Sequence, residues 1–382
     1  MPYPLKKLWE LCNIQNGYAF KSSDYVDFSN TLNFRMSNIR IWWELDINHN
    51  KRYLPDSYIE KYKNFLLEDW DIVIAMTDMA TSPKILAIPT LIKTDNRKLL
   101  LNQRVWKFTD IDFDSLDISF LRYILLAPDS RETLLSLWGW WVQINISTKQ
   151  ILSLKIPLPP LPTQKAIVQK LDTAFEKIDA SIELAEKSLK AIDEGNASVL
   201  EEVFGSGEYE EKKLWDIISM NYWKWVDKQD KNENGLYEVY WANGVMYFSN
   251  KFLYDWESII IWRKWSAWAL KRVSWKFWAS DVTYYVTLRK NDNLDYVFNW
   301  LRFLNLPSLA QWVKPWINRN HVYKLKLPLP PHEKQKEIVA HLDQVFAVNA
   351  ELKRAYEEKI AHLRELKQSL LREAFEGRLV KE

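Results

Sequence analysis

The chain has 382 residues, with 52 Lys+Arg against 50 Asp+Glu and a net charge of +2. That length is too great for one ordinary core and predicts two or more domains, and the near-neutral charge confines any nucleic-acid surface to a local patch. A single cysteine, Cys12, excludes an internal disulfide and a multi-cysteine zinc site, and no apolar run approaches the ~18–20 residues of a membrane span, so a soluble, cytoplasmic protein is expected.

Residues 1–153 read as an α+β region. Strands are predicted at Asp71-Ile-Val-Ile-Ala75 and Arg104-Val-Trp-Lys-Phe108, and a short helix over 115–127. Arg35, Asn38 and Arg40 form one small polar-basic group, and Arg104 and Lys107 another. Residues 154–207 open on Leu154-Lys-Ile-Pro-Leu-Pro-Pro160 and continue as a helix. Ile167, Leu171, Ala174, Ile178, Ala185, Leu189, Ile192, Val199 and Val203 recur at 3–4 spacing, an apolar stripe that seeks a coiled-coil partner. The rigid Pro-Leu-Pro-Pro segment leads into such a helix and cannot lie inside it, and Gly205-Ser206-Gly207 marks its far end.

Residues 208–324 form a second α+β region. Strands are predicted at Ser258-Ile-Ile-Ile-Trp262 and Asp281-Val-Thr-Tyr-Tyr-Val286, and a helix over 294–304. Arg263, Lys264, Lys271, Arg272 and Lys276 cluster between Trp256 and Lys276 beside one acid, Glu257, with Lys224, Lys228 and Lys231 upstream. Residues 325–382 repeat the proline motif, Leu325-Lys-Leu-Pro-Leu-Pro-Pro331, and a second striped helix that ends near Gly377. The motif and helix match without a gap at an offset of 171 positions: Gln164 with Gln335, Leu171 with Leu342, Phe204 with Phe375. A second match, Lys6-Lys7-Leu8-Trp9 against Lys212-Lys213-Leu214-Trp215, opens each half. Each helix would be about 60 Å long at ~1.5 Å per residue. Asn196 and Asn349 sit on the stripes, where a polar residue can fix register. The two regions diverge while their helices do not, which implies one shared scaffold and two recognition tasks.

No catalytic constellation emerges: there is no GKS/GKT loop, HExxH, GxSxG or Asn-Pro-Pro-Tyr-like tetrad. His321, His332, His341 and His362 have no standard metal spacing, and Cys12 reads as buried and structural. Asp78 reads as a turn or cap residue. The basic groups, whose Arg and Asn can contact phosphates and base edges, read as DNA-binding residues; a solvated charged face is the plainer alternative.

These residues resemble the DNA-specificity subunit of type I restriction–modification systems. The resemblance spans the chain and rests on Leu5-Lys-Lys-Leu8, Gln15-Asn-Gly-Tyr-Ala-Phe20, Asp69-Trp-Asp-Ile-Val-Ile74, Leu101-Asn-Gln-Arg-Val105, Ile144-Asn-Ile-Ser147, the two Pro-Leu-Pro-Pro blocks, Tyr240-Trp-Ala-Asn-Gly244 and Phe277-Trp-Ala-Ser-Asp-Val-Thr-Tyr284. It implies an α+β fold: two α/β target-recognition domains (1–153 and 208–324) separated by two long antiparallel coiled-coil helices (in 154–207 and 325–382), with an internal pseudo-two-fold repeat. It further implies a non-catalytic chain that reads a bipartite double-stranded DNA target and docks two methylation subunits and restriction motor subunits. S-adenosylmethionine, ATP and Mg would belong to those partners, and this chain would hold no cofactor. The alternatives are a protein–protein scaffold with no DNA role and a fragment of a fused methyltransferase-nuclease.

Two counts stand apart. There are 8 glycines where ordinary usage predicts roughly 27. There are 21 tryptophans, all within 9–141 and 215–316. Many fall where a chain turns, as in Trp262-Arg-Lys-Trp265-Ser-Ala-Trp268, and the resemblance carries glycine at Trp9, Trp70, Trp223, Trp241, Trp262, Trp265, Trp268 and Trp316 but Trp at Trp278. The reading is that many of these positions are UGA codons decoded as glycine in the source; the alternative is a Trp-rich surface that stacks on bases. Mass spectrometry of the native protein should find glycine at Trp262, Trp265 and Trp268, and tryptophan at all three would refute it.

Overall fold

The structure is a computed structural model that describes residues 3–40, 45–79, 85–136, 143–222, 224, 226–227, 230–241, 244–262, 269–280, 282–304 and 319–380. The strands of the first half are β1 (Leu5–Lys7), β2 (Asn13–Asn16), β3 (Thr31–Phe34), β4 (Tyr53–Leu54), β5 (Leu66–Leu67), β6 (Ile72–Ala75), β7 (Thr77–Met79), β8 (Pro89–Leu91), β9 (Lys98–Leu101), β10 (Val105–Thr109), β11 (Gln143–Asn145) and β12 (Lys155–Pro157). Its helices are α1 (Tyr58–Lys61), α2 (Ile118–Leu126), α3 (Pro128–Ser136), α4 (Thr148–Leu152) and the 44-residue α5 (Leu161–Phe204). The second half contains β13 (Glu211–Lys213), β14 (Ile218–Tyr222), β15 (Tyr237–Trp241), β16 (Gly244–Ser249), β17 (Ser258–Trp262), β18 (Leu270–Val273), β19 (Phe277–Ala279), β20 (Thr283–Leu288) and β21 (Lys326–Pro328). With them come α6 (Leu214–Ile217), α7 (Leu294–Phe303), α8 (Arg319–Val322) and the 44-residue α9 (His332–Phe375).

The chain divides into two compact units, Met1–Leu184 with Lys359–Glu382, and Ala185–Glu358. In the first, an antiparallel sheet β2-β10-β6-β8 stands beside a mixed sheet β4-β3-β9-β5 in which β3 and β9 run parallel. In the second, β14-β20-β17-β18 is the antiparallel sheet and β16-β15-β19 the mixed one, with β15 and β19 parallel. The central strands Ile72–Ala75 and Ser258–Trp262 are buried along their whole length, which explains their continuous apolar runs. In both halves the opening strand pairs antiparallel with the strand just before the prolines, Lys6 with Ile156 and Lys212 with Leu327. The internal repeat in sequence is therefore a repeat of topology.

The predicted strands and helices fall where the periodicity puts them, within about three residues; the largest difference is at α2, which starts at Ile118 rather than 115. Asp78 differs, because its backbone belongs to strand β7 rather than to a turn or cap. The long helices start at Leu161 and His332, immediately after their Pro-Pro pairs. Gly377, beyond the second, takes a φ of +76°, the left-handed conformation that ends helices. Within the second unit α5 and α9 pair antiparallel: Asn349 donates to Asn196 at 2.7 Å, and Lys353 meets Asp193 at 3.0 Å. The asparagines marked as register residues are thus bonded to each other. Within the first unit Lys367 pairs with Asp179, and Lys170 donates to the Leu379 carbonyl at 2.8 Å.

Gln164 and Gln335, equivalent in the repeat, make equivalent clasps. Gln164 is fully buried; its Oε1 accepts the Asp117 N–H at 2.9 Å, and its Nε2 donates to the carbonyls of Ser115 and Pro159, both at 2.8 Å. Asp117 caps α2. The Gln335 Oε1 accepts the N–H of Asn293, the cap of α7, at 2.8 Å, and its Nε2 donates to Pro330 at 2.9 Å and to Asp292 at 3.2 Å. One side chain per half therefore ties a domain helix, the proline segment and the long helix together.

Several tryptophans sit awkwardly. Trp70 has a φ of +75° and is exposed, a backbone state that costs any residue but glycine. Trp9, Trp215, Trp256 and Trp275 are more than half exposed. Gly17 cannot be replaced: a Cβ there would lie 2.1 Å from the Asn102 carbonyl oxygen. Counting on from the match that opens each half, Gly17 corresponds to Trp223, which lies outside the described residues. Trp300, by contrast, is buried in the second core.

Gln164→Leu should destabilise the fold by about 2–4 kcal/mol, because it orphans one buried N–H and two carbonyls. Urea unfolding measures the loss, and amide exchange should show it first at the start of α2. Gln164→Glu should do no better, since its oxygen faces two carbonyls where an NH2 group stood.

Candidate nucleic-acid interface

Three of the residues expected to bind DNA, Lys228, Arg263 and Lys264, lie outside the described residues. Arg35, Asn38 and Arg40 share the loop after β3. Asn38 is buried, and its Nδ2 donates to the Asp46 and His49 carbonyls, both at 3.0 Å, while its Oδ1 accepts the Arg35 N–H at 2.9 Å. Its amide therefore holds the loop, with both ends engaged. The Arg35 guanidinium is half-buried, donates to the Asn50 carbonyl at 2.6 Å and has its pKa lowered by that burial. Arg40 pairs with Asp46 at 3.3 Å, at a site open to solvent.

Arg104 and Lys107 separate in environment. Lys107, on β10, pairs with Asp71 at 2.7 Å, and its side chain is about one-fifth exposed. Arg104, in the turn between β9 and β10, is exposed, and among the described residues its guanidinium has no ion pair. The preceding residue, Gln103, bonds through its N–H to the Tyr18 carbonyl at 3.0 Å, and Tyr18 belongs to an aromatic cluster. The Tyr18 and Tyr62 rings lie 4.5 Å apart there, and the Lys61 ammonium sits 5.0 Å from the Tyr62 ring. Hydrogen bonds from Tyr18 and Lys61 lower the pKa of the half-buried Tyr62 phenol. Tyr58-x-x-Lys61-Tyr62 is a spacing that puts ring and cation together on one turn, and it is the signal that could have marked this cluster in sequence.

In the second half the basic run is largely neutralised. Arg272 on β18 is held by two carboxylates, Glu257 and Asp295, and these raise its pKa against the opposing effect of burial. Lys271 lies 3.6 Å from Glu238 and 4.8 Å over the Tyr240 ring. Lys276 pairs with Asp255 at 3.4 Å and lies 4.6 Å over Phe252. Lys231 sits 4.7 Å over Tyr247. Lys224 is exposed and free of ion pairs among the described residues, and its carbonyl accepts the Trp278 indole N–H at 2.7 Å, which fixes its loop. Chemically, each half offers cations on aromatic rings and, among the described residues, an exposed cation without an ion pair, Arg104 or Lys224, a combination suited to phosphate contact. Among the described residues no group of three or more His, Cys, Asp or Glu could hold a metal. Burial pushes the Cys12 thiol up to about 12.

The family model described as the type I restriction modification DNA specificity domain matches residues 3–193 and 206–362. The type I restriction enzyme MjaVIII specificity subunit of Methanocaldococcus jannaschii is 29% identical over 197 residues, 51% of this chain and 43% of that protein. The type I restriction enzyme EcoAI specificity subunit of Escherichia coli is 32% identical over 184 residues, 46% of this chain and 30% of that protein. The chain thus spans less than half the length of either relative. A solved structure, titled for complex assembly and conformational transition of the type I R-M system, covers 99% of both chains at 17% identity with a TM-score of 0.75, a likeness of fold.

Two outcomes follow from these environments. Arg104→Ala and Lys224→Ala should each lower the salt dependence of DNA binding by about one counterion without loss of stability, whereas Arg272→Gln should cost stability by breaking two ion pairs. Binding isotherms at several salt concentrations, alongside thermal melts, separate the two. Cys12 should resist iodoacetamide at pH 8 in the folded chain and react once the chain is unfolded, because its thiolate forms only around pH 12.

Proposed function

The chain belongs to the type I restriction modification DNA specificity family, and we propose that it reads a bipartite sequence in double-stranded DNA and directs adenine methylation and restriction by partner subunits. The observation that supports this most strongly is duplication with divergence: one topology occurs twice, with the clasp and long helix retained and the loop surfaces changed. A protein that reads one sequence in two copies needs no divergence, and a plain scaffold needs no basic-aromatic face on each domain. In this reading residues 1–153 and 208–324 each take one segment of the target. Lys and Arg contacts to phosphates supply affinity, and loop residues supply readout of base edges.

The chain itself carries no catalytic group in this proposal. Two methylation subunits dock on it and bring S-adenosylmethionine, and restriction motor subunits bring ATP and Mg; the complex acts in the cytoplasm. Among the described residues no helix is long and apolar enough to cross a membrane, which fits a complex that works on DNA.

The experiment is to assemble the chain with its methylation subunits and map methylated adenines across a genome. The expected result is one motif of two short segments separated by unread base pairs. A continuous motif, or methylation without sequence preference, would contradict the proposal.

A further inference from the structure

We propose that each domain clamps one phosphate of the DNA backbone at the end of an edge strand: Lys61 and Tyr62 hold it in the first domain, Lys224 and Arg319 in the second. This deepens the function proposed above and rests on it. Strands β2 and β14 are equivalent, each at the edge of an antiparallel sheet. Counting on from Lys6 and Lys212, Gln15 corresponds to Asn221, Asn16 to Tyr222 and Tyr18 to Lys224. The domains differ at each of these positions, yet both gather cations and aromatic rings there.

In the first domain Gly17 has no room for a Cβ, and this lets the chain lie against the turn after β9. The Tyr18 N–H bonds the Leu101 carbonyl there at 2.8 Å. The Tyr18 ring stands 4.5 Å from the Tyr62 ring, and the ammonium of exposed Lys61 lies 5.0 Å over the latter. The Tyr62 hydroxyl accepts from Tyr18 and from Lys61, so its own proton is left for an outside acceptor, and the lowered pKa makes it a stronger donor. Asp24, which opposes the effect of Lys61 on Tyr62, is engaged by the Lys21 N–H at 2.7 Å and the Tyr58 hydroxyl at 3.3 Å.

In the second domain the Arg319 guanidinium lies 4.6 Å over the half-exposed Tyr222 ring. A bond from its Nη1 to the Met220 carbonyl at 3.2 Å holds it there. Lys224, two residues beyond Tyr222, is exposed and free of ion pairs among the described residues. The equivalent amides nearby are turned inward: Gln15 Nε2 donates to the Asn64 carbonyl at 2.6 Å, and Asn221 Nδ2 donates to Thr287 Oγ1 at 3.0 Å. The groups left at each edge are cations and a phenol, all of them donors. A backbone phosphate answers such a set with acceptor oxygens and a full negative charge, which the acceptors of guanine lack.

The test uses the chain assembled with its methylation subunits and target duplexes in which one phosphate at a time is replaced by an uncharged methylphosphonate. The unaltered complex should lose about ten-fold in affinity at one phosphate beside each segment of the target. Lys61→Gln and Tyr62→Phe should each bind intact DNA about ten-fold more weakly and suffer no further loss from the methylphosphonate beside the first segment. The one beside the second segment should cost them as much as before. Lys224→Ala and Arg319→Gln should show the reverse, with thermal melts to identify any loss in Arg319→Gln that belongs to folding. Each lysine variant should lower the salt slope by about one, whereas Tyr62→Phe, which removes a neutral donor, should leave it unchanged. Penalties that simply add at every phosphate would overturn the clamp, and so would coupling to a guanine substitution instead, because the same donors would then read a base. An unaltered complex with no sequence preference would overturn the function on which the clamp rests, and that result needs no variant.

Discussion

One buried glutamine in each half ties the polar backbone of three parts that otherwise meet only through a shared apolar core. Polyproline cannot donate hydrogen bonds from its nitrogens, so the carbonyls of Pro159 and Pro330 need a donor once they are buried. The first turn of a domain helix needs an acceptor for the N–H at its cap. The carboxamide of Gln164 or Gln335 supplies both from the first turn of a long helix, at 2.8–2.9 Å. No charged residue does this, because a carboxylate lacks the donor and an ammonium lacks the acceptor. The opening strand of each half then pairs beside the prolines and closes the domain onto the same helix.

This explains which parts of the molecule were legible in sequence. The strands Ile72–Ala75 and Ser258–Trp262 and the helices α5 and α9 announced themselves by period and composition, because burial on one face or both leaves a pattern. Asn196 and Asn349 were legible because a lone amide on an apolar stripe has few other uses. The role of Gln164 and Gln335 was hidden, although their recurrence was plain, because their partners are backbone atoms of loops 40 and more residues away. Charge was the least legible feature. Lys107 and Arg272 look alike in sequence to Arg104 and Lys224, yet the first two are neutralised by Asp71, Glu257 and Asp295, which only the fold brings near. Asn38 looked like a base reader and is instead the internal brace of its loop.

The consequence for recognition is a division of labour. On the proposed function, paired cations such as Arg272 shape the surface, and cations with no ion pair among the described residues, such as Arg104 and Lys224, are the ones available to phosphates. Aromatic rings lie under the ammonium groups of Lys61, Lys231, Lys271 and Lys276, and Lys271 and Lys276 are in addition paired with Glu238 and Asp255. The tryptophans fit this picture poorly where they replace turn residues, as the +75° φ of Trp70 illustrates. Loops at those positions gain close backbone approach to DNA if they carry glycine.

The central claim is that each domain, clasped to its helix by the same device, reads one segment of the target on its own. The most direct measurement is the methylation pattern of a chain in which residues 208–324 are replaced by residues 1–153, with both proline segments and both long helices unaltered. The account predicts a motif built from two copies of the segment read by the first domain. Persistence of the second segment in that pattern would contradict it, because the bases would then be read by the helices or the partner subunits.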